Sequence, residues 1–214
     1  MVFRRCAFYA WDTMISARSS NQRFDPFLGA LAVDEPSSAR LEAGGMWALD
    51  FAAKPQVKFN VVERGGCWII FAGEAPRRLD EGDAFLLAGA PAFTLASEPD
   101  LEAANGSALF AAAPESMVRY GGDTVALVSG TFSVADADAP LLRTTVPSFV
   151  HVAATDKASM NIRSIHAVLL EEIADKRLGT SLVLARLVDV LLVQTLRVNA
   201  ALEQRARPLQ MIRS

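Results

Sequence analysis

The residues of this chain with the most distinctive chemistry are two cysteines and two histidines, Cys6, Cys67, His151 and His166. Zinc sites use such residues in closely spaced pairs, and these four are too far apart for that pattern. We therefore interpret the cysteines as ordinary reduced thiols. The chain also lacks the G-x-S-x-G pattern of an activated serine, and Asp83 in "EGD" is typical of a turn. The sequence predicts no catalytic residue, no metal site and no cofactor.

The composition is that of a mildly acidic, hydrophobic chain. It has 214 residues, 51% of them hydrophobic, a formal net charge of −3 and an isoelectric point near 5.5. This length supports one sizeable core, whereas a surface that binds nucleic acid is usually basic. Charges interrupt the most apolar run, Leu182 to Leu196, and Asp12 ends the N-terminal apolar run too early for a secretion signal. We expect a cytoplasmic protein with no membrane contact.

The middle of the chain has the pattern of a β-sheet protein. From about Leu41 to Val134, short apolar segments alternate with turns that contain Gly or Pro, which predicts a sandwich or barrel. The predicted strands are "MWALDFA", "VKFNVVE", "GGCWIIFAG", "DAFLLAG", "AFTLAS", "SALFAAA" and "DTVALVSGTFSV", and the predicted loops are "SEPDLEAANGS" and "PESMVRYGGD". A poorly ordered leader, 1–24, and a short helix at Phe24–Leu31 precede them.

After Pro147 the apolar residues follow helical spacing. We expect one helix that ends with Gly179 as its C-terminal cap. A second helix begins near Thr180 and continues to about Arg205, before Pro208 ends it. The domain organisation that follows is a barrel domain at 25–155, two antiparallel helices at 156–206 and a tail at 207–214.

The second helix is apolar around most of its circumference, and such a helix is buried on more than one side. One side can face its own barrel while another faces a partner chain, which favours a homodimer. The other interpretation is a helix packed between the barrel and the first helix of a single chain. The candidate interface residues are Leu184, Leu187, Val190, Leu191 and Gln194.

The segment "GDAFLLAGAPAFTL", Gly82–Leu95, has the spacing of a metal-binding motif. In this spacing the sequence resembles the cupin superfamily of small β-barrels, whose two motifs supply histidines and a glutamate to a metal. This chain has Ala52, Lys54, Lys58 and Phe93 at the corresponding positions. Phenylalanine and alanine have no ligand atom, and an ammonium group repels a cation. The resemblance therefore implies a barrel that binds no metal and is not an enzyme.

A longer series of patterns consists of "GGMWALDF", "FNVVERGGCWIIFAG", "RRLDEGDAFLLAGAPAFTL", "LVSGTF", "PLLRTTVPSFVHV" and "LLEEIADKRLGTSLVLARLVDVLLVQTLR". In this order it resembles the N-terminal cupin domain of AraC-type transcriptional regulators, over about residues 25–200. The resemblance implies a mainly β fold with C-terminal α structure, a cupin-type barrel or jelly roll followed by two antiparallel helices. It also implies that the barrel binds a small-molecule effector and that the helices form the dimer. DNA would be bound only through a C-terminal helix-turn-helix domain that is absent from this chain.

Eight side chains are candidates for the lining of an effector pocket. Strand residues alternate between two faces, so Asn60 and Val62 face inward if Lys58 does. The full set is Trp47, Lys58, Asn60, Val62, Trp68, Phe85, Phe93 and Leu95. They form an aromatic pocket with an amide or ammonium contact, or they fill a small barrel with Lys58 extending to its mouth. Alternatives for the whole chain are a ligand-free interaction module and a cupin enzyme with an unusual site.

Overall fold

The computed structural model describes residues 34–89, 91–133, 140, 146–175 and 177–210. These residues belong to one compact unit of the chain, Ala32–Ser214. The predicted leader, the predicted short helix at Phe24–Leu31 and the last residues of the predicted tail lie outside the described residues. Among the described helices, none is both long enough and apolar enough to cross a membrane.

The described residues form two facing β-sheets and a helical C-terminal part. The strands are β1 Asp34–Ala43, β2 Ala48–Phe51, β3 Gln56–Arg64, β4 Gly66–Ile70, β5 Arg77–Asp80, β6 Ala84–Ala88, β7 Phe93–Ala96, β8 Ala104–Asn105, β9 Met117–Tyr120, β10 Val125–Ser133 and β11 Phe149–Val152. The helices are α1 Gly106–Ala112, α2 Lys157–Asp175 and α3 Thr180–Gln210, with a short 3-10 turn at Pro114–Ser116.

The large sheet has the strand order β11-β6-β3-β10-β1-β9, and the small sheet has the order β5-β4-β7-β2-β8. Pairing is antiparallel except at β1–β9 and β2–β8. The inner faces of the two sheets share one core. Leu41 and Val62 of the large sheet and Leu49 and Ile69 of the small sheet contribute to it. The predicted mainly β fold followed by two helices is confirmed. Two facing sheets make it a jelly roll rather than a closed barrel.

The two long helices cover the outer face of the large sheet. Helix α2 buries Ile162, His166 and Leu169 and contacts strands β1, β3, β6 and β10, while α3 packs on α2 and β11. Strand β6 lies between these helices and the core, so both of its faces are buried. That double burial explains why "AFLLA" is apolar at every position instead of alternating.

Four local features differ from the sequence prediction. The predicted strand "SALFAAA" is helix α1, because the Asn105 side chain accepts a hydrogen bond from the Ala108 amide at 2.9 Å and caps a run of good helix formers. The predicted loop "PESMVRYGGD" contains β9, which gains its partners from β1. Strand β1 begins at Asp34, before the expected start of the sheet region.

The fourth difference concerns the ends of the helices. Helix α2 ends at Asp175, so Gly179 does not cap it but lies in the turn before α3 with a φ of 84°. A positive φ is accessible to glycine without strain. Helix α3 continues past Pro208 to Gln210.

Candidate ligand-binding cavity

A cavity of about 280 Å³ lies between the two sheets at one end of the jelly roll. Strands β1, β3 and β10 of the large sheet form one wall, and β2, β7 and helix α1 form the other. At its floor, Leu41, Leu95 and Leu127 are almost fully buried, whereas Ser37 and Lys54 at its mouth are exposed. The cavity is therefore a pocket that opens to solvent at one end.

The register of three neighbouring strands explains why this end stays open. Inward-facing residues of β1, β10 and β3 lie side by side in rows. From the core outward, these are the floor row Leu41–Leu127–Val62, the middle row Ala39–Ser129–Asn60 and the mouth row Ser37–Thr131–Lys58. The floor row is apolar and packs into the core, but small or polar side chains dominate the other two rows. Apart from Lys58, the side chains of these two rows are too short to reach the opposite sheet, so a space remains.

The wall opposite these rows is aromatic. Phe51 of β2 is the register partner of Phe93 of β7, and the two rings stack with centroids 4.9 Å apart and 16° between their planes. Phe110 of α1 lies 6.1 Å from Phe51. This cluster offers apolar ring surface to any molecule in the cavity.

Lys58 brings a positive charge into this aromatic surrounding. Its Nζ lies 5.8 Å from the centroid of the Phe51 ring. Burial, and secondarily the charge of Lys54, lower the pKa of Lys58 to about 8. The Asn60 side chain, 8% exposed, donates weak 3.4 Å hydrogen bonds to the carbonyls of Lys58 and Phe85.

Four of the eight predicted pocket residues line this cavity: Lys58, Asn60, Phe93 and Leu95. The structure places Trp47, Val62 and Phe85 in the packed core next to it. Trp68 faces the outside of the small sheet, where the Arg78 guanidinium lies 5.7 Å from its ring. The reason is the alternation along β4, which turns Cys67 and Ile69 inward and Trp68 outward.

Sequence reasoning missed several lining residues. Phe110 was missed because its segment was assigned to a strand. Ser129 and Thr131 had a visible signal: in "VSGTFS", every second residue is a hydroxyl residue, which in a strand gives one polar face. Neither Ser129 nor Thr131 is among the candidate pocket residues of the sequence analysis.

The four positions that correspond to metal ligands in the cupin motifs also line this cavity. Ala52, Lys54, Lys58 and Phe93 all lie on its wall. In the described residues there is no cluster of three His, Cys, Asp or Glu side chains. The donor set at these positions, two ammonium groups and two hydrocarbon side chains, does not fit a metal ion.

Strands β3 and β10 also support helix α2 on their outer face. Between the middle and mouth rows lies the pair Phe59–Gly130, which points away from the cavity. The Phe59 carbonyl accepts a hydrogen bond from His166 Nε2 at 3.2 Å, and burial lowers the pKa of His166. A Cβ on Gly130 would lie 2.8 Å from Cδ2 of Leu169. Helix α2 therefore packs on the outer face of the same strands whose inner face lines the cavity.

A second connection joins the β5–β6 turn to the segment before α2. The Asp83 carboxylate accepts hydrogen bonds from His151 Nε2 and the Ala154 amide, both at 2.7 Å, and from the Asp80 amide at 3.0 Å. Asp83 is thus the turn former that the sequence indicates, and it also fixes β11 and the start of the helical part to the turn.

Helix α3 divides the predicted interface residues between two faces. Leu184 and Leu191 are fully buried within the chain, because they lie on the face that packs against the rest of the domain. They are therefore not available to a partner. Leu187, Val190 and Gln194 lie on the outer face together with Val183, at the spacing of a single helical stripe, and Val183 and Val190 are 39% and 42% exposed.

A protein-family model described as "Cupin" matches residues 23–201, which is most of the chain. The chain belongs to the cupin family. Two curated relatives, both described as AraC-like transcription regulators, come from Streptomyces lividans and Streptomyces antibioticus. They are 35% and 36% identical over 164 residues, 76% of this cupin chain and 54% of each relative. The predicted resemblance to AraC-type regulators is confirmed.

The cupin chain spans about half the length of these curated relatives. Among solved structures, unsaturated-fatty-acid-bound ToxT from Vibrio cholerae is more distant. It is 9% identical with a TM-score of 0.42, and the match covers 75% of this chain and 53% of ToxT.

Proposed function

We propose that this cupin domain is the effector-sensing and dimerising part of an AraC-type transcriptional regulator. Its cavity binds a small organic molecule, without a metal ion and without catalysis. The observation that carries this proposal is the double use of β3 and β10. On one face these strands line the cavity, and on the other face they support α2 through Phe59 and Gly130.

This arrangement provides a route by which ligand binding in the cavity affects the helices. A ligand that contacts Asn60 or Thr131 acts on strands whose next residues, Phe59 and Gly130, support α2. If the ligand binds one arrangement of these strands better than another, it shifts the population of α2 positions accordingly. Helix α3 packs on α2 and would follow its movement.

The outer face of α3 is the surface we assign to the homodimer. Its stripe Val183–Leu187–Val190–Gln194 is mostly apolar, with Val183 and Val190 exposed and Leu187 and Gln194 partly buried in the described part of the chain. In the full-length regulator, DNA contact would come from a helix-turn-helix domain, in line with relatives about twice as long as the matched region. A regulator of this kind acts in the cytoplasm.

A thermal-shift screen of small metabolites, combined with sedimentation, tests this proposal. We expect ligands that raise the melting temperature, and loss of that effect in Ser129→Phe, which fills the cavity. Ser148→Phe is the control, because Ser148 is exposed and does not line the cavity. We also expect a dimer at micromolar concentration.

Three outcomes would contradict the proposal. A full screen without any binder would favour an interaction module that has no ligand. Tightly bound, stoichiometric metal in the purified protein would favour an enzyme. A clean monomer would remove the role assigned to α3.

A further inference from the structure

The charges on the cavity wall are all of one sign. Among the described lining residues, Lys54 and Lys58 are the ionisable ones, and no aspartate or glutamate is present. The described residues form no ion pair with either lysine, whereas eight arginine–carboxylate pairs exist elsewhere in them. A partly buried ammonium group without a counter-ion is costly, and an anion entering the cavity would reduce that cost.

Hydroxyl groups lie in the same row as this lysine. Ser37 and Thr131 are the neighbours of Lys58 across β1 and β10. An anionic group at this level can accept hydrogen bonds from the ammonium group and from hydroxyls. The mouth row therefore has the donors that a carboxylate requires and is close to solvent.

Below this level the cavity has an aromatic wall and an apolar floor, and the middle row with Ser129 and Asn60 lies opposite the aromatic wall. Phe51 and Phe93 form the stacked wall, and Leu41, Leu95 and Leu127 form the floor. The volume of about 280 Å³ is at the lower end of the range for small-molecule pockets. The space fits one ring or a short alkyl chain, not a long one.

We propose that the effector is a small organic acid, with an aromatic or short aliphatic body against Phe51 and Phe93 and its carboxylate at Lys58 and Lys54. This inference rests on the proposed function, because it names the ligand class of the same cavity. The cavity would select against cationic and neutral molecules of the same shape, since only an anion neutralises the two ammonium groups.

The pH dependence of binding follows from the same lysine. Lys58 has a pKa of about 8 in the free protein, because burial and Lys54 disfavour its charged form. These two lysines are the titratable groups that face the cavity in the described part of the chain. The affinity for a carboxylate should be nearly constant between about pH 6 and 7, where the ligand is ionised, and should fall as pH rises above about 8, while the affinity for a neutral analogue should not change.

Two matched series of probes test the charge preference by titration calorimetry at pH 6.5. One series is 3-phenylpropanoate, 3-phenylpropanamide and 3-phenylpropylamine, and the other is hexanoate, hexanamide and hexylamine. We expect each acid to bind at least about tenfold more tightly than its amide, as charge-assisted contacts do, and the amines to show no binding. Lys58→Met should reduce the preference for the acid severalfold, with Lys54 keeping a remainder, and Lys58→Arg should retain the preference.

The control variant is Lys157→Met, since Lys157 is an exposed lysine on α2 outside the cavity. The inference is wrong if the amides bind as tightly as the acids, if Lys157→Met and Lys58→Met have equal effects, or if neither acid binds at millimolar concentration. If the amides bind the wild type as tightly as the acids and Ser129→Phe abolishes their binding, the proposed sensing function stands and only the preference for acids is wrong. If Ser129→Phe leaves the binding of the acids unchanged, both the proposed sensing function of this cavity and its preference for acids are wrong.

Discussion

Replacing Gly130 by alanine should disturb the packing of helix α2 on strand β10 without changing the cavity lining. Gly130 lies on the outer face of β10, and its φ is in a range that alanine adopts freely. The new Cβ would lie 2.8 Å from Cδ2 of Leu169, whereas ordinary contacts begin at 3.4 Å. Leu169 is fully buried, so either its side chain adopts a less favourable rotamer in a packed site or helix α2 shifts.

The expected cost follows from two opposing terms. Overpacking of a buried site costs about 1–3 kcal/mol, and the lower entropy of alanine in the unfolded chain offsets about 0.4–1 kcal/mol. We expect Gly130→Ala to lower the free energy of unfolding by about 1–2 kcal/mol. For a chain of this size, each kcal/mol corresponds to about 2–4 °C in melting temperature.

A double-mutant cycle with Leu169→Val, followed by urea unfolding, identifies the cause. Valine has no δ carbon, so the alanine at position 130 should cost much less in the Leu169→Val background than in the wild type. The reasoning is refuted if Gly130→Ala is neutral or stabilising, or if its cost is the same in both backgrounds. Ser129→Ala is the matched control on the inner face, and we expect it to have little effect on stability.

Four further predictions concern other parts of the molecule. Burial lowers the pKa of His166 in the folded protein, so the unfolded chain binds a proton at this histidine more readily. The free energy of unfolding should therefore decrease as pH falls through about 6.5. In urea unfolding, His166→Gln should weaken this pH dependence. Asp83→Ala leaves His151 and the amides of Asp80 and Ala154 without their acceptor and should cost about 1–3 kcal/mol in the same assay. Val190→Glu should shift the dimer toward monomer in sedimentation while the melting temperature of the domain stays nearly unchanged. Burial raises the pKa of Cys67 to about 12, so a thiol reagent should modify it only after unfolding.

Six of the eleven described strands and the two long helices were predictable from local patterns, whereas β1, β5, β8, β9 and β11 were not among the predicted strands. Strand β3 alternates at Lys58, Phe59 and Asn60 between the cavity and the helices, and α2 has apolar residues at helical spacing. Helix α1 was not predictable from periodicity, because seven residues of small and apolar type fit a strand as well as a helix. Its assignment depends on the cap at Asn105.

The site was predictable only in part, because the lining depends on register between strands far apart in sequence. Lys58 and Phe93 were found from the spacing of the cupin motifs, and Asn60 from the alternation of strand residues. Ser129 and Thr131 lie about seventy residues from the first of these, and the pairing of β3 with β10 brings them together. Long-range pairing of this kind is not encoded in local pattern.

Hydrogen–deuterium exchange with and without the tightest-binding probe acid tests the sensing function most directly. If the cavity and the helices are coupled through Phe59 and Gly130, the ligand should slow exchange in β3 and β10 and also in helix α2, Lys157–Asp175, while β5 should not change. Protection confined to the cavity strands, with unchanged exchange in α2, would contradict the coupling on which the proposed sensor depends.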